Sequence, residues 1–133
     1  MNRIEAKITQ IQSQGHLSLV SLQVAQVPLQ VLVTDVPSSA QYLTMGNRIE
    51  VLLKETAIGL SKHSLKHQVS IVNQIPCTIE HIETGEILSK IRVVFGEHAL
   101  QIIVTTLACT QMQLEVGQSV VALIKANEIM CNP

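Results

Sequence analysis

The chain has 133 residues, of which 47% are hydrophobic, 14% charged and 2% aromatic, and its formal net charge is −1. Abundant branched apolar residues with so little net charge exclude a disordered chain. A nucleic-acid surface is excluded as well, because the chain has neither an excess of Lys and Arg nor the stacking aromatic rings that such a surface needs. So few charges predict a protein that covers part of its surface with further copies of itself.

The first predicted element is a β-strand. Apolar residues alternate with polar ones at the period of a half-buried strand, at Ile4, Ala6 and Ile8. The next apolar residue, Ile11, comes three positions later, so either a bulge or the end of the strand is expected there. Two further strands are predicted after turns, with Gly15 before Leu17–Val24 and Gln26 before Leu29–Thr34.

A short helix is predicted after the third strand. Pro37 is accepted in the first turn of a helix, and Asp35 lies where a capping side chain is favoured. Gly46 is expected to end the helix, because glycine tolerates the left-handed conformation found at helix C-termini. Two more strands follow, over Ile49–Lys54 and Ala57–Leu60.

The same series then recurs. A shift of 71 residues, from Asn2 to Asn73, aligns Asn2–Lys62 with Asn73–Pro133 without a gap, and about a quarter of the paired residues are identical. In the second copy Thr106 is the expected helix cap and Gly117 the expected helix end. Its predicted strands are Ile75–Ile79, Leu88–Phe95, Leu100–Thr105, Val120–Lys125 and Glu128–Cys131.

The order strand-strand-strand-helix-strand-strand within about 60 residues is that of a small five-stranded barrel of the OB type. The predicted fold class is therefore mainly β, with two tandem OB-like five-stranded barrels that each contain one short helix. The modules are expected at residues 1–62 and 73–133, with a linker at 63–72. Modules of this size are marginally stable alone, and duplication and oligomerisation are the usual remedies.

No membrane segment is expected. The stretch from Ile8 to Thr34 has no charged residue, but Gln and Ser interrupt every apolar run in it far short of the ~20 residues that a spanning helix needs. The first residues lack the apolar core of a signal peptide. Cys77, Cys109 and Cys131 are odd in number and form no CxxC pattern, which is typical of reduced thiols. We therefore expect a cytoplasmic protein.

The C-terminal part of each module is the most distinctive. Four residues keep identical spacings in the two copies: Thr34, Leu43, Gly46 and Lys54 in the first, and Thr105, Leu114, Gly117 and Lys125 in the second. With Leu-x-x-Gly followed by a strand that ends in Ile124-Lys125-Ala126, the chain resembles the Mop (molbindin, TOBE) family of molybdate-binding modules. The resemblance covers nearly the whole chain, twice, as in a di-Mop protein.

The resemblance implies cytoplasmic binding and storage of molybdate, or of the nearly isosteric tungstate. Members of the family place oxyanion sites between modules around a three-fold axis, so a homotrimer is expected. A tetrahedral dianion needs no coordinating protein atom and can be held by hydrogen bonds and a cation. The residues that the resemblance assigns to oxyanion binding are Thr34, Lys54, Ser70, Asn73, Thr105, Lys125 and Ala126. Less close matches to the family motifs add Asn2, Arg3 and Ser38.

The chain departs from the family pattern in several places. Pro37 and Ala108 stand where the family has Ser, and Glu55 replaces the small residue after the first Lys. Each lost hydrogen bond to a charged ligand costs about 1.5–3 kcal/mol. These departures leave a second function open, namely a degenerate regulatory or assembly module that acts through a partner protein and binds oxyanion weakly or not at all.

No directly coordinated metal and no catalytic group are predicted. His63 and His67 have the spacing of a metal pair on a helix, but no third ligand lies in phase with them. No Ser–His–acid or Cys–His grouping can be assembled from the sequence. The protein is therefore expected not to be an enzyme.

Overall fold

The computed structural model describes residues 1–133 and is almost entirely β-structure. No helix in it is long and apolar enough to cross a membrane. The strands are β1 (Asn2–Gln14), β2 (Leu17–Val24), β3 (Val27–Val33), β4 (Arg48–Leu53), β5 (Gly59–Ser61), β6 (Asn73–Thr84), β7 (Leu88–Phe95), β8 (His98–Thr105), β9 (Ser119–Ile124) and β10 (Ile129–Asn132). The one α-helix is α1 (Thr106–Gln111), and two 3₁₀ turns span Glu55–Ala57 and Ala126–Glu128.

The strands form two five-stranded antiparallel sheets, and each sheet takes one strand from the other half of the chain. The first sheet has the order β10-β4-β1-β2-β3, and the second has the order β5-β9-β6-β7-β8. Ile129 of β10 lies opposite Leu53 of β4, and Gly59 of β5 lies opposite Leu123 of β9. The mainly β, OB-like fold is therefore confirmed, whereas the expectation of two tandem five-stranded barrels is wrong, because each sheet contains the last strand of the other half.

The exchange follows from the path of the chain after each fourth strand. The 3₁₀ turn Glu55–Ala57 packs against β8 in the second sheet, and the 3₁₀ turn Ala126–Glu128 packs against β3 in the first. Each turn therefore carries the next strand across to the other half. One cluster of 27 buried residues spans both halves. Because a unit of about 60 residues is only marginally stable alone, the shared core stabilises both.

Both long first strands contain a bulge where the spacing of apolar residues changes. The strand pairing shifts register just after Ile8 in β1 and just after Ile79 in β6. Gly46 and Gly117 donate their backbone N–H groups to the carbonyls of these two residues, at 2.7 and 2.8 Å. The glycines have φ of +85° and +93°, a conformation that favours glycine. They shape the turn into the fourth strand and do not end a helix, which corrects the sequence-based expectation.

Only the second half contains the predicted helix. Thr105, and not Thr106, caps α1, because its side chain accepts a hydrogen bond from the Ala108 N–H at 3.1 Å. Thr34 is the matching residue in the first half, but Pro37 stands at the position of Ala108 and has no N–H to donate. A turn replaces the helix there. The expectation of one helix per half is therefore wrong for the first half.

Candidate functional site

The strand exchange places the two recurring lysines in one cleft. Lys54 and Lys125 each directly precede a 3₁₀ turn, and their backbone angles are similar, with φ and ψ of −71° and 133° at Lys54 and −69° and 147° at Lys125. Both side chains line a cleft of about 490 Å³, which we call the lysine cleft. The other lining residues are Thr56, Ala57, Gly59, Leu60, Ile71, Leu123, Ile124 and Glu128.

The lysine cleft carries unbalanced positive charge. Neither lysine takes part in any of the four salt bridges of the chain. Glu128 is the one acidic residue in the lining, so the two lysines leave one net positive charge. Each exposed ammonium group has three donor hydrogens that are open to a ligand. These properties favour an anion with several acceptor oxygens.

The residue after each lysine differs between the two sides of the cleft. Ala126 follows Lys125 and adds no charge. Glu55 follows Lys54, and its Oε1 atom lies 2.7 Å from the ammonium group of Met1. A hydrogen bond from that ammonium group, together with one from the Glu55 backbone N–H, lowers the pKa of the Glu55 carboxyl. The carboxylate is therefore held by groups that do not line the cleft.

Asn2 and Asn73 join the two halves of the chain. The Asn73 side chain accepts from the Gln30 N–H at 2.7 Å and donates to the Gln30 carbonyl at 2.8 Å. Asn2 forms the matching pair of bonds with Gln101, both at 2.8 Å. Each carboxamide therefore pairs with one residue of an edge strand in the opposite half, as a neighbouring strand does. Because these polar atoms are engaged within the chain, a role toward an anion stays a prediction.

The remaining residues assigned from the sequence lie outside the lysine cleft. The hydroxyl residues among them are Thr34, Ser38, Ser70 and Thr105. All four are exposed, and Thr105 also caps α1. Arg3 forms an exposed ion pair with Glu50, with 3.0 Å between the two side chains. The structure therefore brings only the two lysines together in the cleft. Ala126 follows Lys125 in the chain but is not in the lining, and its assignment and those of the other residues stay predictions.

Two polar lining residues, Thr56 and Glu128, are not found by sequence reasoning. Each lies within three positions of a recurring lysine, and the repeat matches Glu128 with Ala57. The repeat alone does not show that both segments face the same space, because this depends on the strand exchange. Only once the exchange is known do these positions become candidates.

Two larger clefts have less positive charge. One, of about 1070 Å³, lies between the turns at 25–27 and 96–98 and the segment 62–64. The other, of about 790 Å³, lies beside α1 and is lined mainly by hydroxyl and amide side chains. Lys62 is the one lysine or arginine in the lining of either. The lysine cleft is therefore the better candidate for a small anion.

Comparison with known proteins gives a family-model match to the second half of the chain and a shared fold. A sequence model of the TOBE domain matches residues 69–131. No curated protein matches the sequence significantly. Among solved structures, the chain is similar to the cytoplasmic molybdate-binding protein ModG, in a form grown from polyethylene glycol with molybdate bound. The TM-score is 0.89 at 20% sequence identity, over 98% of this chain and 94% of that chain. At this identity the likeness shows a shared fold.

Proposed function

We propose that the chain is a TOBE-domain protein, on the match of that family's sequence model to residues 69–131, and that it binds molybdate, or the nearly isosteric tungstate, in the cytoplasm. Storage or buffering of the oxyanion is the proposed function, with no catalytic step. The fold shared with a molybdate-binding protein supports this choice of ligand. The lysine cleft is the observation in this chain that carries the proposal.

The lysine cleft has the chemistry that a compact tetrahedral dianion requires. Its two ammonium groups have no acidic partner within the chain, so they can donate charge-assisted hydrogen bonds to oxyanion oxygens. Thr56 adds a hydroxyl group to the same lining. Molybdate has no vacant coordination position that a protein atom must fill, and hydrogen bonds with a positive charge therefore suffice.

We propose that neighbouring copies of the chain complete the site. A cleft of about 490 Å³ has much more room than one oxyanion fills. The hydroxyl residues outside it are exposed, and are therefore open to an anion held by a neighbouring chain. A homotrimer is the proposed assembly, in which residues 1–62 and 73–133, joined by 63–72, remain the proposed repeat units although they exchange their last strands. Several aliphatic side chains are exposed in the single chain, which supports a surface that neighbouring copies cover. They include Leu17, Ile87, Leu88 and Leu107.

Titration calorimetry of the full chain with molybdate, tungstate and sulfate tests the proposal. The wild-type protein should bind molybdate or tungstate, and the double variant Lys54→Ala/Lys125→Ala should not. Lys66→Ala is a matched control, because Lys66 is exposed and lies outside the lysine cleft. Native mass spectrometry with elemental analysis measures the assembly and its molybdenum content. The absence of heat and of any thermal shift with all three anions contradicts the proposal and favours a module that acts through a partner protein.

A further inference from the structure

The lysine cleft has two matching lysines but only one carboxylate. Lys54 matches Lys125 across the repeat, Ala57 matches Glu128, and all four residues line the cleft. We propose that Glu128 limits the affinity of this cleft for dianions, and so reduces its preference for dianions over monoanions. This inference rests on the proposed function, since it concerns the same cleft.

The carboxylate of Glu128 is free to act on a ligand. The Glu128 N–H donates to the Lys125 carbonyl at 2.9 Å, which closes the 3₁₀ turn. The exposed side chain forms no salt bridge. The turn packs against β3, whose residues 27–33 include no ionisable side chain. The charged groups that share the cleft with Glu128 are therefore Lys54 and Lys125 alone.

The size of the effect follows from the charges. With Glu128 ionised the lining carries one net positive charge, and with a neutral residue at 128 it carries two. A carboxylate repels a dianion twice as strongly as a monoanion at the same position. Loss of this repulsion should strengthen dianion binding about fivefold in dilute buffer and about twofold at physiological salt.

Two variants test the inference from opposite directions. Glu128→Gln removes the charge with little change in size, and Ala57→Glu adds a second carboxylate at the matching position. Each full-length variant is titrated with molybdate, a dianion, and with perrhenate, a tetrahedral monoanion. In dilute buffer we expect Glu128→Gln to bind molybdate about fivefold more tightly and Ala57→Glu to bind it about fivefold more weakly. For perrhenate the same changes should be about twofold.

Glu83→Gln is the matched control, because it makes the same change in total charge at an exposed residue outside the lysine cleft. A thermal unfolding curve for each variant verifies that it is folded. Equal gains from Glu83→Gln and Glu128→Gln, or weaker molybdate binding by Glu128→Gln, overturn the inference. If the wild type binds molybdate and Glu128→Gln binds it with the same affinity, the inference is overturned and the proposed function is not. If neither the wild type nor Glu128→Gln gives heat with either anion, the proposed function and the inference are both overturned.

Discussion

The two 3₁₀ turns beside the lysine cleft share one backbone path but differ in the position of their single acidic residue. The residues that follow them, Ile58 and Ile129, are both buried and have φ and ψ of −99° and 123° and of −94° and 132°. In the first turn the acidic residue, Glu55, comes first and is bound to Met1, whereas in the second Glu128 comes last and lines the cleft. The repeat therefore preserves the backbone path that leads each last strand to the other half. The position of the acidic residue relative to the cleft differs between the two copies.

The largest effect, on molybdate affinity, is expected at the lysine that each side of the cleft contributes. Lys54→Ala and Lys125→Ala each remove a charged donor, and a hydrogen bond to a charged group contributes about 1.5–3 kcal/mol. We therefore expect each variant to weaken molybdate binding roughly tenfold to a hundredfold. Titration calorimetry of both variants measures this. Equal losses would indicate that the two sides hold one anion, whereas a loss at one lysine alone would contradict a shared site.

The two asparagines allow the halves to be compared in stability. Asn73 is only 1% exposed, whereas Asn2 is half-buried. Asn73→Ala leaves the N–H and carbonyl of Gln30 without their partners, which should lower the free energy of unfolding by about 2–4 kcal/mol. Asn2→Ala should cost less, because Asn2 is half-buried and water can more readily reach the groups that it leaves. Urea unfolding followed by circular dichroism measures both, and a larger loss for Asn2→Ala contradicts the prediction.

The two threonines after the third strands differ in their capping role. Thr105→Ala removes the cap of α1 and should lower the free energy of unfolding by about 1 kcal/mol. Thr34→Ala removes no cap, since Pro37 has no N–H, and should change it by less than about 0.5 kcal/mol. The same urea experiment compares them, and equal effects would show that α1 gains nothing from Thr105.

The last comparison concerns Cys77, where the first half has Ala6. Burial raises the pKa of the Cys77 thiol to about 11 from 9.0. Below pH 9 both states are protonated; above it the unfolded chain ionises first, so stability is lost as the pH rises towards 11. Burial, with the nearby Asp35, raises the pKa of Cys131 to about 11 as well. Urea unfolding at pH 8 and pH 10 should show a smaller fall in stability for Cys77→Ala than for the wild type. An equal fall contradicts this.

Much of the fold follows from the sequence, because alternating apolar residues and the repeat predict the strands, the turns and the place of the bulge. The strand exchange cannot be predicted from the sequence. Ala57–Leu60 and Glu128–Cys131 occupy equivalent places in the two copies, so either segment fits the edge of either sheet, and only packing between the halves decides. The absence of a helix in the first half could have been predicted from the sequence. Pro37 is the third residue after Thr34, where a capping side chain needs a backbone N–H, and proline has none.

The candidate site follows only in part from the sequence. The family resemblance assigns Lys54 and Lys125 to oxyanion binding, but two positions 71 residues apart meet in one cleft because the fifth strands exchange. The sequence does not identify Glu128 as a lining residue either, because its place in the cleft also depends on the strand exchange. The residues assigned from the family motifs that lie outside the cleft stay predictions, because in the proposed assembly a neighbouring chain would have to bring them to the anion.

The position of a bound tungsten atom tests the central claim most directly. Crystals of the full chain are soaked with sodium tungstate, and an anomalous difference map locates the metal. We predict a peak in the lysine cleft, with the Nζ atoms of Lys54 and Lys125 both within hydrogen-bond reach of the oxyanion, and no peak there in the Lys54→Ala/Lys125→Ala variant. Tungsten bound only elsewhere on the protein, with the cleft free of it, would contradict the proposed site.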